Sequence, residues 1–185
     1  MDPLKFHYEK VVQYDLINKF HYSKLTSFPK LKKISLSFDI KSSNLKDLIV
    51  ALIALNLITN QKSLLVKSKI SSISLSIRKG NPRGCRITLR KKYMNFFLLR
   101  LIQNVLGNVK YFEGFLLAPR NGLQTLNFTL SDIFKFAVLE KKFYIFKSLP
   151  NLKITIVTTS NNFNEFFFLF RSLNYPLFST FNTKR

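Results

Sequence analysis

The side chains of this 185-residue sequence that could carry chemistry are few on the acid–base side and many on the cationic side. His7 and His21 stand far apart with Glu9 as their one neighbouring carboxylate, and partly exposed structural histidines explain them better than a catalytic pair. Asp132 and Glu140 have no partner motif, and Cys85 alternates with Ile87 and Leu89 as a small buried hydrophobe would. One cysteine and two histidines cannot build a Cys-rich zinc cage or an intrachain disulfide. The glycines of GNPRGC lack the GxxxxGK[ST] form of a phosphate loop, so neither catalytic group, cofactor nor metal is expected. The stretch SIRKGNPRGCRITLR, residues 76–90, points to a different chemistry. Turning a hairpin takes about two residues of the Asn-Gly type. Arg78, Lys79 and Arg83 are therefore surplus to the turn, and on an extended loop such groups can grip phosphates.

The elements that would hold those groups follow from composition and periodicity. Hydrophobic residues make up 46% and aromatics 15%, which excludes a disordered chain, and the length suits a single domain over residues 1–185. Thirty Lys and Arg against nine Asp and Glu leave a formal net charge of +21, which attracts polyanions. Nucleic acid is the first candidate and an anionic membrane surface the second. The opening MDPLKFHYEK matches neither a secretory nor a transit segment, so the chain is expected to be used where it is made or to have lost a presequence.

Residues 8–21 have amphipathic helical spacing, with Val11, Val12, Leu16 and Phe20 apolar. From Leu31 to Ile40 apolar residues alternate with Lys33, Ser35, Ser37 and Asp39, which predicts a half-buried strand. Asn44 is a candidate cap for LKDLIVALIALNLIT, whose nearly continuous apolar character predicts a buried core helix too short to span a bilayer. SLLVKS reads as a short strand. Ile73, Leu75 and Ile77 then alternate with serines and would pair, across the basic tip 78–84, with Cys85, Ile87 and Leu89. Residues 92–106 suit a helix closed by Gly107. NGLQTLNFTL and KKFYIF read as strands inside an ambiguous segment, NLKITIVTTS as a further strand, and FNEFFFLFRSL as an aromatic core helix capped by Asn161 or Asn162. The fold class is α+β: a mostly antiparallel sheet with helices packed on one face and an extended basic hairpin.

On the sheet's other side would lie Ser35, Ser37, Ser72, Ser74, Ser76, Arg86, Thr88, Arg90, Lys153 and Thr155. Antiparallel sheets commonly have a merely solvated face, and pattern alone does not separate that from a binding face. Serine is a poor strand former, however, and small hydroxyls among cations suit a sugar-phosphate backbone recognised by shape.

The string Ile77, Arg78, Gly80, Pro82, Gly84, Cys85, Thr88, Leu89, Arg90 resembles the hairpin signature of the ribosomal large-subunit protein five family, the 5S-rRNA-binding proteins of the central protuberance. HYEKVVQYDLINKF, SFPKLKKISLSF, NQKSLLVKSKIS and NLKITIVTTS agree in order and spacing, leaving roughly residues 114–140 divergent, and PLKFHYE resembles mitochondrially encoded members. The resemblance implies a non-catalytic constituent of the large ribosomal subunit, in a mitochondrion and organelle-encoded. Its sheet would dock on 5S rRNA and large-subunit rRNA, with Ser37, Gln61 and Thr88 at matching contact positions. Lys33, Ser35, Lys62, Lys67, Lys69, Ser72, Ser74, Arg86, Arg90 and Lys153 complete the candidate rRNA contacts. The loop of Arg78, Lys79, Gly80, Asn81, Pro82, Arg83 and Gly84 would reach the P-site tRNA. Neighbouring central-protuberance proteins and a small-subunit head protein are the implied protein partners. The chain departs from the family at Ser37, often Asn, at DIKSSN in place of a Gly-rich turn, and at Asn81 and Arg83, which replace apolar residues. The rival readings are an RNA-processing enzyme, which needs convergent carboxylates or a metal cluster, another basic RNA-binding module outside the ribosome, and a membrane-surface protein, which needs a Lys-rich amphipathic helix beside apolar anchors.

Overall fold

A computed structural model describes residues 3–22, 24, 27–40, 45–73, 78–109, 114–117 and 124–179. In chain order the helices are α1 (Pro3–His7), α2 (Gln13–Lys19), α3 (Leu45–Thr59), α4 (Lys91–Arg100), α5 (Ala137–Glu140), α6 (Phe143–Phe146) and α7 (Phe163–Ser172). A π-helical turn, Tyr8–Val12, joins α1 to α2, and another, Leu101–Leu106, extends α4. The strands are β1 (Leu31–Asp39), β2 (Leu64–Lys67), β3 (Pro82–Leu89), β4 (Phe115–Leu117), β5 (Thr125–Leu130), β6 (Leu152–Thr158) and β7 (Leu177–Ser179). Five of them form a sheet in the order β2-β3-β1-β6-β5, and β4 pairs in parallel with β7. Contacts cluster into two compact units, one of Met1–Lys33, Arg90–Leu126 and Ile156–Arg185, the other of Ile34–Leu89 and Asn127–Thr155.

In the second unit β3 is antiparallel to β1 on one side, from Ile34 opposite Leu89 to Asp39 opposite Gly84, and to β2 on the other. The alternation along β1 and β3 buries Ile34, Leu36 and Phe38 with Cys85, Ile87 and Leu89, and α3 packs on β3. The α+β class expected from the sequence is the observed one. Helix α3 ends where Asn60 takes a left-handed φ of 55° and Thr59 Oγ1 donates to the Leu55 carbonyl at 2.7 Å. The Ser63 amide then donates to Asn56 Oδ1 at 2.7 Å, fastening the turn into β2.

Four details differ from the sequence reading. Helix α3 is not buried all round: Leu48, Ala51, Leu55 and Ile58 face the core, but Leu45, Ile49 and Ile53, one helical turn apart, are exposed. Its two faces are almost equally apolar, so composition cannot say which one is covered. The partner of β3 across the hairpin is β2, with Leu65 opposite Cys85 and Val66 opposite Gly84, rather than residues 70–77. Ile73 is 99% exposed, and Ser74, Leu75, Ser76 and Ile77 lie outside the described residues, as does the Asn44 cap. Pro82, Arg83 and Gly84, read as loop, begin β3. KKFYIF, read as a strand, holds the single helical turn α6, because Phe146 alone is buried and no alternation is satisfied.

In the first unit α1 packs on α4 and α2 on α7. Helix α7 buries Phe166, Leu169 and Phe170, so it is a core element as its composition suggested. Asn162 occupies its cap position, yet its side-chain amide donates to Glu165 Oε1 at 3.3 Å and accepts nothing from the helix N–H groups. His7 has a structural contact: its ring Nε2–H donates to the Ser172 carbonyl at 3.0 Å.

Gly84 sits where β1 and β2 converge on β3, and a Cβ there would press on the Phe38 carbonyl oxygen. Gly84→Ala should therefore cost about 2 kcal/mol and lower the melting temperature by about 4–8 °C in a thermal scan. Burial pushes the Cys85 thiol up to about 11, the Asp39 carboxylate adds to the rise, and a Phe38 backbone hydrogen bond opposes it. The unfolded chain ionises this thiol near its ordinary 9.0, while the folded chain holds the proton until about 11. Stability should thus fall as pH climbs through that window. Urea titrations at about pH 8 and about pH 10 should show a smaller loss in Cys85→Ala than in the parent chain.

Candidate nucleic-acid interface

The alternation that buries one side of β1 and β3 presents Ser35, Ser37, Arg86 and Thr88 on the other. Ser37 lies opposite Arg86 and Ser35 opposite Thr88, so four candidate contact residues share one patch. Arg86 and Thr88 are exposed and Ser37 is half-buried. Ser35 is only 6% exposed, because the Arg86 side chain crosses diagonally and donates from Nε to Ser35 Oγ at 2.8 Å. Ser35 is therefore not an open contact. It fixes the direction of the guanidinium, whose remaining N–H groups are the ones free of this bond.

From β6, Lys153 is exposed and pairs with the Asp39 carboxylate at the end of β1. An exposed pair of this kind contributes little to stability and is screened by salt. Asp39 and Lys153 also line a concavity of about 740 Å³, together with Lys67, Ser68, Arg83 and Asn151. The sequence pattern assigns Lys67 and Lys153 to the sheet and Arg83 to the loop. Antiparallel register joins them, since Lys67 lies opposite Pro82 across an irregularity after Val66. Three cations thus surround one carboxylate in a space wide enough for a phosphate group. Ser68, Asn151 and Asp39 were missed as lining residues; the one signal in the sequence was that each adjoins a basic or strand-end position.

The loop that leaves β2 and returns to β3 is tied at its base by Ser68. Its amide donates to the Asn81 carbonyl at 2.9 Å, its hydroxyl to the Arg78 carbonyl at 2.5 Å, and its own carbonyl accepts from Gly80 N–H at 3.0 Å. Gly80 has a φ of 91°, which a side chain would rarely adopt, and its surroundings are open. Beyond this neck Lys69, Arg78, Lys79 and Asn81 are exposed, and Ser72 is half-buried. The loop is thus longer than the expected 78–84 tip, and Pro82, Arg83 and Gly84 belong to the sheet beneath it. Gln61 is half-buried and Lys62 exposed in the turn after α3. In the first unit Lys33 is half-buried and Arg90 exposed, while Ser74 lies outside the described residues. Among the described residues no group of three or more His, Cys, Asp or Glu could hold a metal ion, and no helix is long and apolar enough to cross a membrane.

Comparison with known proteins matches residues 82–177 to the model of the C-terminus of the ribosomal uL5 family. Large ribosomal subunit protein uL5m of Reclinomonas americana is 34% identical over 96% of this chain and 98% of its own length. Large ribosomal subunit protein uL5 of Xylella fastidiosa is 35% identical over 95% of this chain and 98% of its own length. The uL5 protein of Mycoplasma pneumoniae is 32% identical over 96% and 98%. These names describe a part of the ribosome and not a reaction. With more than half the chain matched by the family model and nearly all of it aligned to such relatives, the chain belongs to the ribosomal uL5 family.

Proposed function

We propose that the chain is a structural constituent of the large ribosomal subunit that holds rRNA, 5S rRNA in particular, against the open side of its sheet. The carrying observation is the patch in which Ser37, Thr88 and a Ser35-anchored Arg86 stand side by side on paired strands. Hydroxyls and a fixed guanidinium are the groups that recognise a folded RNA backbone by shape, through phosphate and 2′-OH contacts. The concavity of Lys67, Arg83 and Lys153 extends the same cationic surface toward the loop. A phosphate entering it competes with Asp39 for Lys153, an exchange that costs little at an exposed pair. Gln61, Lys62, Lys33, Arg90 and Ser72 are the flanking candidates.

The loop beyond Ser68 is the reading's second part: Lys69, Arg78, Lys79 and Asn81 engage the backbone of P-site tRNA, and a small-subunit head protein meets the same arm. Its support is the neck at Ser68, which holds exposed cations clear of the sheet. A mitochondrial ribosome is the proposed location, supported by the uL5m relative of Reclinomonas americana. Protein of the large subunit needs no reaction of its own, and the +21 charge is what an RNA-embedded protein requires.

Binding of the purified chain to a 5S rRNA transcript tests the first part. Arg86→Glu combined with Lys153→Glu should weaken it at least about tenfold and flatten the slope of log K against log salt by about two. Unchanged affinity and slope would sink the sheet-face reading. Arg78→Glu with Lys79→Glu should leave 5S rRNA binding within about twofold while reducing tRNA protection on assembled ribosomes.

A further inference from the structure

Turn α6 and its flanks place bulky side chains where a soluble surface rarely keeps them. Tyr144 is 84% exposed, Ile145 51% and Phe143 47%. Lys141, Lys142 and Lys147 surround them, all exposed, and none has an ion-pair partner among the described residues. The cluster is nonetheless firmly seated. Phe146 is buried to 1% exposure, and the Phe143 ring leans on Phe134 with centroids 4.6 Å apart. Ser148 donates to Asp47 Oδ1 at 3.3 Å, and α6 packs on α3, whose other contact is β3. These rings therefore lie on the helical layer, away from the Ser37–Arg86 side of the sheet.

We propose that Lys141–Lys147 is a second RNA contact, a stacking platform on which Tyr144 and Phe143 receive one or two unpaired nucleotides while the three lysines hold the flanking phosphates. Every base has a π-face, so a nearly free aromatic ring beside cations is the arrangement that takes single-stranded nucleic acid without reading its sequence. Base stacking requires rings with open faces, and Tyr144 has them; a protein-docking patch would not need three uncompensated lysines at its edge. A lipid surface fits less well, because helices that lie in a bilayer interface are long and amphipathic, and α6 is a single turn of four residues. The assignment shares with the sheet-face reading only the choice of RNA as the polyanion.

The test is fluorescence-anisotropy titration of the full chain with a labelled single-stranded oligouridylate and, separately, with the 5S rRNA transcript. Tyr144→Ala and Phe143→Ala should each weaken oligouridylate binding about tenfold without altering its salt slope. Tyr144→Phe, which keeps the ring, should retain it, and ultraviolet crosslinking should join uridine to Tyr144 or Phe143. Replacing Lys141, Lys142 and Lys147 by Gln should lower the slope instead. Melting curves of the variants confirm folding, and Tyr144 is too exposed for its loss to open a cavity. If the alanine variants bind oligouridylate like the parent while 5S rRNA binding persists, the platform is wrong and the sheet-face reading stands. If the parent binds neither RNA, both fall. If phosphatidylcholine–phosphatidylserine vesicles float the parent but not Tyr144→Ala, and oligouridylate binding is indifferent to the substitution, the occupant is lipid and the proposal is overturned.

Discussion

Strand β3 is held from both sides at once, and at Gly84 the neighbouring backbones come so near that a methyl group would meet the Phe38 carbonyl. The site depends on that close fit. It sets the register in which Ser37 faces Arg86, brings Lys67 level with Pro82, and so gathers residues from distant parts of the chain around one concavity. A side chain at Gly84 would have to push β1 away, and a one-residue slip would turn Arg86 and Thr88 inward, exposing Cys85 and Ile87. Backbone proximity, not any ion pair, is what makes the cationic face a defined surface.

The polar face itself is a compromise between order and openness. Arg86 is anchored through a neutral hydroxyl and Lys153 through a carboxylate, so each cation is oriented without being consumed. The hydroxyl anchor leaves the full charge of the guanidinium available. The carboxylate anchor leaves a pair that an incoming phosphate can rearrange. On a chain with a net charge of +21, a single acid placed at the mouth of the concavity also relieves repulsion among Lys67, Arg83 and Lys153 until a polyanion arrives.

Much of this was legible in the residues. Ile34, Leu36 and Phe38 alternating with Ser35 and Ser37 specified β1 and its buried side, because a period of two has only one physical solution in a half-buried strand. The hydroxyl and basic identity of the outer side was visible for the same reason. The pairing partner of β3 was not, since Ile73, Leu75 and Ile77 alternate as regularly as a true strand, and only tertiary contacts decide that β2 takes the place. Local pattern likewise could not tell that Gly84 serves strand packing when glycine, proline and asparagine nearby all spell a turn. KKFYIF carried β-forming side chains into a helical turn because Phe146, a single buried anchor, outweighs their propensity. Ser35 was recognised as polar but not as covered, because the reach of the Arg86 side chain is a property of the pair.

The base of the basic arm has a mechanical consequence. Ser68 ties the arm to Arg78, Gly80 and Asn81, yet the strand it continues, β2, lies at the rim of the sheet with Leu64, Leu65, Val66 and Lys67 all exposed. Strand β3, by contrast, is braced along its length by β1. A pull on the arm therefore loads two supports of unequal stiffness. The rim would peel first and absorb the displacement as a compliant hinge, leaving the braced strand and the hydroxyl face it displays undisturbed.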